Sequence, residues 1–185
     1  MANVVNTKTG TEYSFQSASY SPTGVSDLSD GSPTVVDLTL SSIAAAAAKN
    51  SDLVDLSQTR ASRYTVIAAI EWFAAIVAGT PVDFYWSPSH NSSVTAGNPG
   101  NPDGVDGAWT GDGGGTVAET VNQLQYIGSF ITTDLQGVQI AYVGSFSPAA
   151  RYGQLIIVNN TATTLCGTDD IESSVLMAEI LEEIQ

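Results

Sequence analysis

The sequence predicts an all-β protein: a single antiparallel β-sandwich, jelly-roll-like, with at most one or two short helices. Two observations carry that expectation. Several segments alternate apolar and polar residues with the two-residue period of half-buried strands. Gly, Pro and Asn turn signals separate them at sandwich-like spacing, with no long helices between, which argues against a parallel doubly wound sheet. At 185 residues the chain can form one domain with a full core and is too short for two.

The elements read in order as follows. Residues 12–18 form a plausible N-terminal strand, and residues 35–40 and 53–56 are shorter candidates. Ser41 and Ser42 offer a helix cap before Ile43 and the alanines 44–48, so a short edge helix is expected there. Residues 64–77 are apolar on both faces, as in a strand covered on both sides, with a buried helix as the rival. In residues 82–86, Val82, Phe84 and Trp86 share one face, and Asp83 and Tyr85 the other. Residues 126–132 and 154–159 read as strands, and in 138–146 the parity places Val138, Ile140, Tyr142 and Phe146 together, opposite Gln139 and Ser145. Residues 172–180 suit a helix or a final strand equally. Turns are marked at 78–81, 135–137 and 159–161.

Two segments stand outside this alternation. Residues 1–11 are polar and aperiodic and read as an extended arm, with Val4 and Val5 available to a neighbouring subunit; removing them should spare folding of the domain at 12–185. Residues 87–115 hold most of the Gly, Pro and Asn residues, and a loop of that length is either functional or poorly ordered. Asn98, Asn101, Asp103, Asp106 and Trp109 are its candidate partner contacts. Trp109 is either an apolar anchor for another subunit or a lid folded over the domain's own core.

Charge narrows the partners. Five Lys and Arg stand against nineteen Asp and Glu, a net charge of −14, with only 13% of residues charged. Such a surface repels phosphate backbones and anionic lipid, so neither nucleic acid nor membrane is an expected partner. The start of the chain lacks the basic and apolar regions of a signal peptide, and the apolar stretch 66–79 is broken by Glu71, so folding in a cytoplasm without export is expected.

No catalytic constellation emerges. Cys166 and His90 are the only soft ligands, which excludes a disulfide and a thiol metal site; Cys166 reads as a small buried hydrophobe and His90 as an exposed loop residue. The Gly-x-Ser-x-Gly elbow is absent, and Gly113, Gly114 and Gly115 precede no Lys-Ser or Lys-Thr. Glu71 and Asp83 interrupt apolar strands and could be imagined as a glycosidase pair, but each is better read as a solvent-face residue or an ion-pair partner of Arg60 or Arg63. The oxygens of 98–107 do not follow calcium-loop spacing, and Asx turns account for them. No cofactor, no metal and no enzymatic activity are expected.

Several strings together resemble a family. They include Asp55-Leu56, Arg60-Ala61, Tyr64-Thr65-Val66 and Ala68-Ala69-Ile70-Glu71, then the run 79–89 and the loop 95–100. Residues 123–130 and 146–153, Val158-Asn159-Asn160 and the acidic close complete the set, which spans roughly residues 50–185. The chain resembles small proteins encoded among the head and tail structural genes of tailed bacteriophages. The resemblance implies a virion protein assembled in the host bacterial cytoplasm, first of all a capsid decoration (cement) protein on the outside of the head. Its partners would be the major capsid protein or other virion proteins, with the chain itself a homo-oligomer, trimer or dimer. A neck, tail or fibre-base component is the alternative, and a carbohydrate- or receptor-binding module resting on Trp109 is a further one.

Overall fold

The computed structural model describes residues 5–93, 98–113 and 115–184. The chain is all-β, as expected, and β-sandwich-like. Its strands are β1 (Val5–Gln16), β2 (Thr34–Asp37), β3 (Ala48–Asn50), β4 (Val54–Asp55), β5 (Arg63–Trp72) and β6 (Pro81–Ser89). They continue with β7 (Gly107–Trp109), β8 (Gln125–Ile131), β9 (Gly137–Phe146), β10 (Tyr152–Asn159) and β11 (Ser174–Ile184). One short helix, α1 (Val117–Thr120), precedes β8.

The two layers are halves of one curled sheet ordered β2-β1-β11-β5-β9-β8-β6-β10-β3-β7, with β4 beside β10. The pairing is antiparallel except for β1 and β2, which run parallel. Layer A is β2-β1-β11-β5-β9, and layer B is β8-β6-β10-β3-β7. They join where β8 crosses β9 at a single pair, Gly128 opposite Gly144. A Cβ on Gly128 would lie 2.0 Å from the Val143 carbonyl oxygen, and one on Gly144 2.4 Å from that of Ile127. Only glycine lets two backbones approach this closely.

A bulge sits beside each glycine. The β5–β9 register slips at Val143, and the β6–β8 register slips at Ile127. Both extra residues turn into the core. A bulge reverses the parity of everything beyond it. Here that corrects the face assigned to β9: Phe146 is buried, whereas Ile140 and Tyr142 point outward and Gln139 inward.

The core between the layers is lined by alternate residues of both. Val82, Phe84 and Trp86 of β6 lie inside as their spacing predicts, facing Tyr64, Val66, Ala68, Ile70 and Trp72 of β5. Tyr64 packs on Phe146 with ring centroids 6.1 Å apart, and Phe146 on Trp86 at 5.5 Å. The Trp86 ring fits only because residue 153 is glycine; a Cβ there would lie 2.3 Å from the indole. Cys166 is buried against Ser173, and burial pushes its thiol up to about 12, leaving it unreactive at neutral pH.

Three further expectations are corrected. Residues 43–48 are not helical: Ile43 bridges to Leu165, Ala46 has φ +60° and Ala48 opens β3. Five alanines make under two turns, too few to hold a helix without a packed face. Residues 5–11 are not a free arm; they form the first half of β1 and pair with β11, Val5 opposite Ile184 and Thr9 opposite Ile180. The long loop is shortened too, because β6 continues to Ser89 and β7 lies within it. The last segment resolves as a strand, β11.

Candidate functional site

The segment from Asn98 to Leu124 folds back over the outer face of layer B. Trp109 is 3% exposed and packs with Ala48, Ile156 and Val158 in a second small core, flanked by Tyr85, Val117, Val121 and Leu124. Its Nε1–H donates to the Gly100 carbonyl at 2.9 Å. Trp109 is therefore the lid over its own domain, and not the partner anchor. The α1 cap holds that lid: Thr116 accepts from the Glu119 N–H while the Glu119 carboxylate accepts from the Thr116 N–H at 2.9 Å. The Thr-x-x-Glu spacing is a capping box legible in the sequence, although the sequence reading passed over it.

The other candidate contacts do similar internal work. Asp106 accepts from the Thr39 N–H at 2.9 Å, and its own N–H donates to Asp52 at 2.6 Å. Asp103 accepts from the Val105 N–H at 3.2 Å and from buried Asn50 at 3.3 Å. Asn101 is exposed with φ +48°, in a turn in which its N–H donates to the Asn98 carbonyl at 2.9 Å. These are the Asx turns and ties of an ordered cover. Val4 lies outside the described residues, and Val5 is described only through its backbone in β1. Among the described residues, no three His, Cys, Asp or Glu side chains are grouped to hold a metal ion.

Glu71 and Asp83 cannot act together. Glu71 stands on the outer face of layer A and Asp83 on the outer face of layer B, so the two carboxylates point away from each other. Asp83 is taken up by Ser129 and Asn160. Burial, with the nearby charges of Glu172 and Asp169, raises Glu71 above the usual carboxylate range. That is a repulsive acidic corner. His90 is exposed at the end of β6.

What remains open on the outer face of layer A is its two margins, Val35 on β2 and the outward residues of β9; Ser14, Leu176, Ala69 and Ser174 between them are buried, and the Tyr20 hydroxyl meets Ser174. The register aligns one row across that face: Val35, Ser14, Leu176, Ile67 and Tyr142, from β2 to β9. Ile140, beside Ala69, begins the next row. The first row contains no charged side chain, the second ends at Asp37 on β2, and β9 carries none of the nineteen carboxylates. Ile140 is 47% exposed and Tyr142 61%. At the splayed ends of β8 and β9 the apolar surface turns into a groove of about 280 Å³, lined by Ile131, Leu135, Val138 and Ile140 among others. Leu135 at its lip is 65% exposed. Contiguous apolar surface on a soluble domain marks a contact site more often than scattered single residues do. The sequence reading missed it because it placed Ile140 and Tyr142 on one face with Phe146, which is buried.

No family model matches the chain, and neither a curated protein nor a solved structure is found to match it.

Proposed function

We propose that this chain is a non-enzymatic virion structural subunit, a decoration (cement) protein that binds the outside of a phage head beside the major capsid protein and stabilises the shell. The observation that carries the reading is the asymmetry of the sandwich. The chain covers the outer face of layer B with its own residues 98–124 and leaves the β9 end of layer A's outer face, with Ile140 and Tyr142, apolar and open to solvent. The sequence resemblance to phage head and tail proteins supplies the setting, and this face supplies the means.

The physical scheme is burial of that face against neighbouring shell subunits. A standard interface buries about 800 Å² per partner, and an array of repeated copies turns individually weak contacts into strong attachment through avidity. The net charge of −14 keeps free copies apart and away from nucleic acid until a matching surface is present. The sugar-binding alternative loses its main support, because Trp109 presents no platform to solvent.

The test is immunogold electron microscopy of particles from a phage that encodes the chain. Label spread over the head shell is the expected result. Label confined to the neck or tail moves the subunit there, and unlabelled particles with the protein left free in the lysate refute the virion reading.

A further inference from the structure

We propose that Tyr85, Tyr126 and Asp83 form a receptor for a lysine side chain of a partner protein, at the edge of the cover on layer B. The register sets the residues in two facing pairs on the outer face, Tyr85 opposite Tyr126 and Asp83 opposite Ser129. The two tyrosine rings stand 5.4 Å apart at an interplanar angle of 59°, and Tyr126 is 54% exposed. The Tyr126 hydroxyl reaches along β8 to Ser129, whose own hydroxyl donates to Asp83, so the ring leans towards the carboxylate. Burial first, and then the charge of Asp83, raises the Tyr85 hydroxyl above its ordinary range, so the carboxylate lies near that ring too.

Beside these groups the cover leaves a slot of about 230 Å³ against the sheet. Val117, Ala118 and Val121 wall it from the cover, Val158 from β10, and Tyr85 and Asn160 complete it. Drug-sized ligands fill roughly 300–1,000 Å³, so this slot suits a single unbranched side chain. The Asn160 amide donates to the Asp83 carboxylate at 2.7 Å, which brings the charge to the rim of the slot.

The chemistry selects the occupant. Tyrosine faces attract a cation within about 6 Å of the ring centroid, and a carboxylate beside them adds to the same field. The chain's own cations are engaged elsewhere: Lys49 donates to the Ser41 carbonyl, Arg151 pairs with Asp55, and Arg63 donates to Ser145. Lys8 on β1 and Arg60 just before β5 belong to layer A. An anionic ligand is repelled by Asp83, and an uncharged one gains only from the apolar wall. Between the two cationic side chains, Asp83 discriminates. Ser129 and Asn160 each hold one of its oxygens, which blocks the two parallel bonds of a guanidinium fork. An ammonium is a compact charge that needs a single lone pair. The aliphatic stem of lysine then lies along Val117, Val121 and Val158 while its head stays at the rim.

This contact lies on layer B and goes beyond the assembly reading; it stands or fails whether or not the chain belongs to a virion. The probe is an acetylated glycine–lysine–glycine amide, titrated into the isotope-labelled full chain and followed by NMR. Saturable, salt-sensitive shifts of the Tyr85, Val117, Val121 and Val158 amides are expected in the millimolar range. The same peptide with norleucine for lysine keeps the stem and loses the charge, and should bind at least about tenfold more weakly. The arginine version should also bind more weakly than lysine. Asp83→Asn and Tyr126→Ala should each weaken lysine binding about fivefold or more while the circular-dichroism spectrum is kept. Norleucine binding as tight as lysine would leave a plain apolar slot and overturn the proposal. So would a tighter arginine peptide, unchanged binding by a folded Asp83→Asn chain, or no saturable shift at about 50 mM peptide. The peptide comparison uses the wild type, so it decides the matter even if a variant fails to fold.

Discussion

Replacing Glu179 tests the idea that the N-terminal segment belongs to its own core. Glu179 is a buried carboxylate on β11 that holds three parts of the chain together. It accepts from the Thr11 N–H at 2.9 Å, the Ala61 N–H at 3.2 Å and the Tyr64 hydroxyl at 2.9 Å. Burial alone would raise its pKa, but these donors outweigh it and hold Glu179 below its ordinary 4.5. Glu179→Ala strands two buried donors, on Ala61 and Tyr64, while Thr11 can turn to water. At roughly 1–3 kcal/mol for each stranded donor, plus the loss of charge-assisted bonds, the expected cost is about 3–5 kcal/mol. That is a large part of the roughly 5–15 kcal/mol by which a domain is stable. Glu179→Gln keeps one acceptor oxygen but sets an amide N–H against the Thr11 N–H, and should cost about half as much. Urea unfolding followed by tryptophan fluorescence reads both, because Trp72, Trp86 and Trp109 are all buried. The pH dependence has a definite sign. A depressed folded pKa stabilises above 4.5, and that stability is lost as pH falls through the lower folded value. The gap between wild type and Glu179→Gln should therefore narrow in acid. Losses under about 1 kcal/mol in both variants, or a gap that widens as pH falls, would refute the reasoning.

The remaining predictions use the same unfolding assay. Deleting residues 1–11 removes the first half of the β1–β11 ladder and one Glu179 donor, so the truncated chain should melt several degrees lower; an unchanged melting temperature would restore the free arm. Trp109→Ala should cost about 3–5 kcal/mol, as for other buried tryptophans, and should increase binding of a hydrophobic dye as Ile156 and Val158 are uncovered. Unchanged stability would place Trp109 outside the core. Gly144→Ala should destabilise by at least about 2 kcal/mol, since its Cβ meets the Ile127 carbonyl where the layers cross. A tolerated alanine would mean that the crossing is looser than the structure shows.

The legible part of the fold was the part written in uninterrupted alternation. Val82, Phe84 and Trp86 announced their buried face, and β5 announced that both its faces were apolar, because nothing between neighbouring residues disturbs the parity. In β9 the same rule failed at Val143, where the bulge beside Gly144 reverses the faces. Nothing in the string Ala141-Tyr142-Val143-Gly144 marks a bulge until β8 crosses it. The capping box at Thr116 and Glu119 was legible and went unread. Asp103 and Asn50 lie 53 positions apart and meet only across the closed loop, so their role in tying it down had no local signal.

Strand content, the absence of long helices and the acidic, sparsely charged surface follow from composition and period-two patterning, since these depend on each residue and its nearest neighbours alone. Which apolar residues are left facing solvent depends on register, on one glycine crossing and on where residues 98–124 come to rest. Those are set by contacts between distant parts of the chain. The same Ile and Tyr types serve as core in β5, as Ile70 and Tyr64, and as open surface in β9, and only the closed sheet distinguishes them.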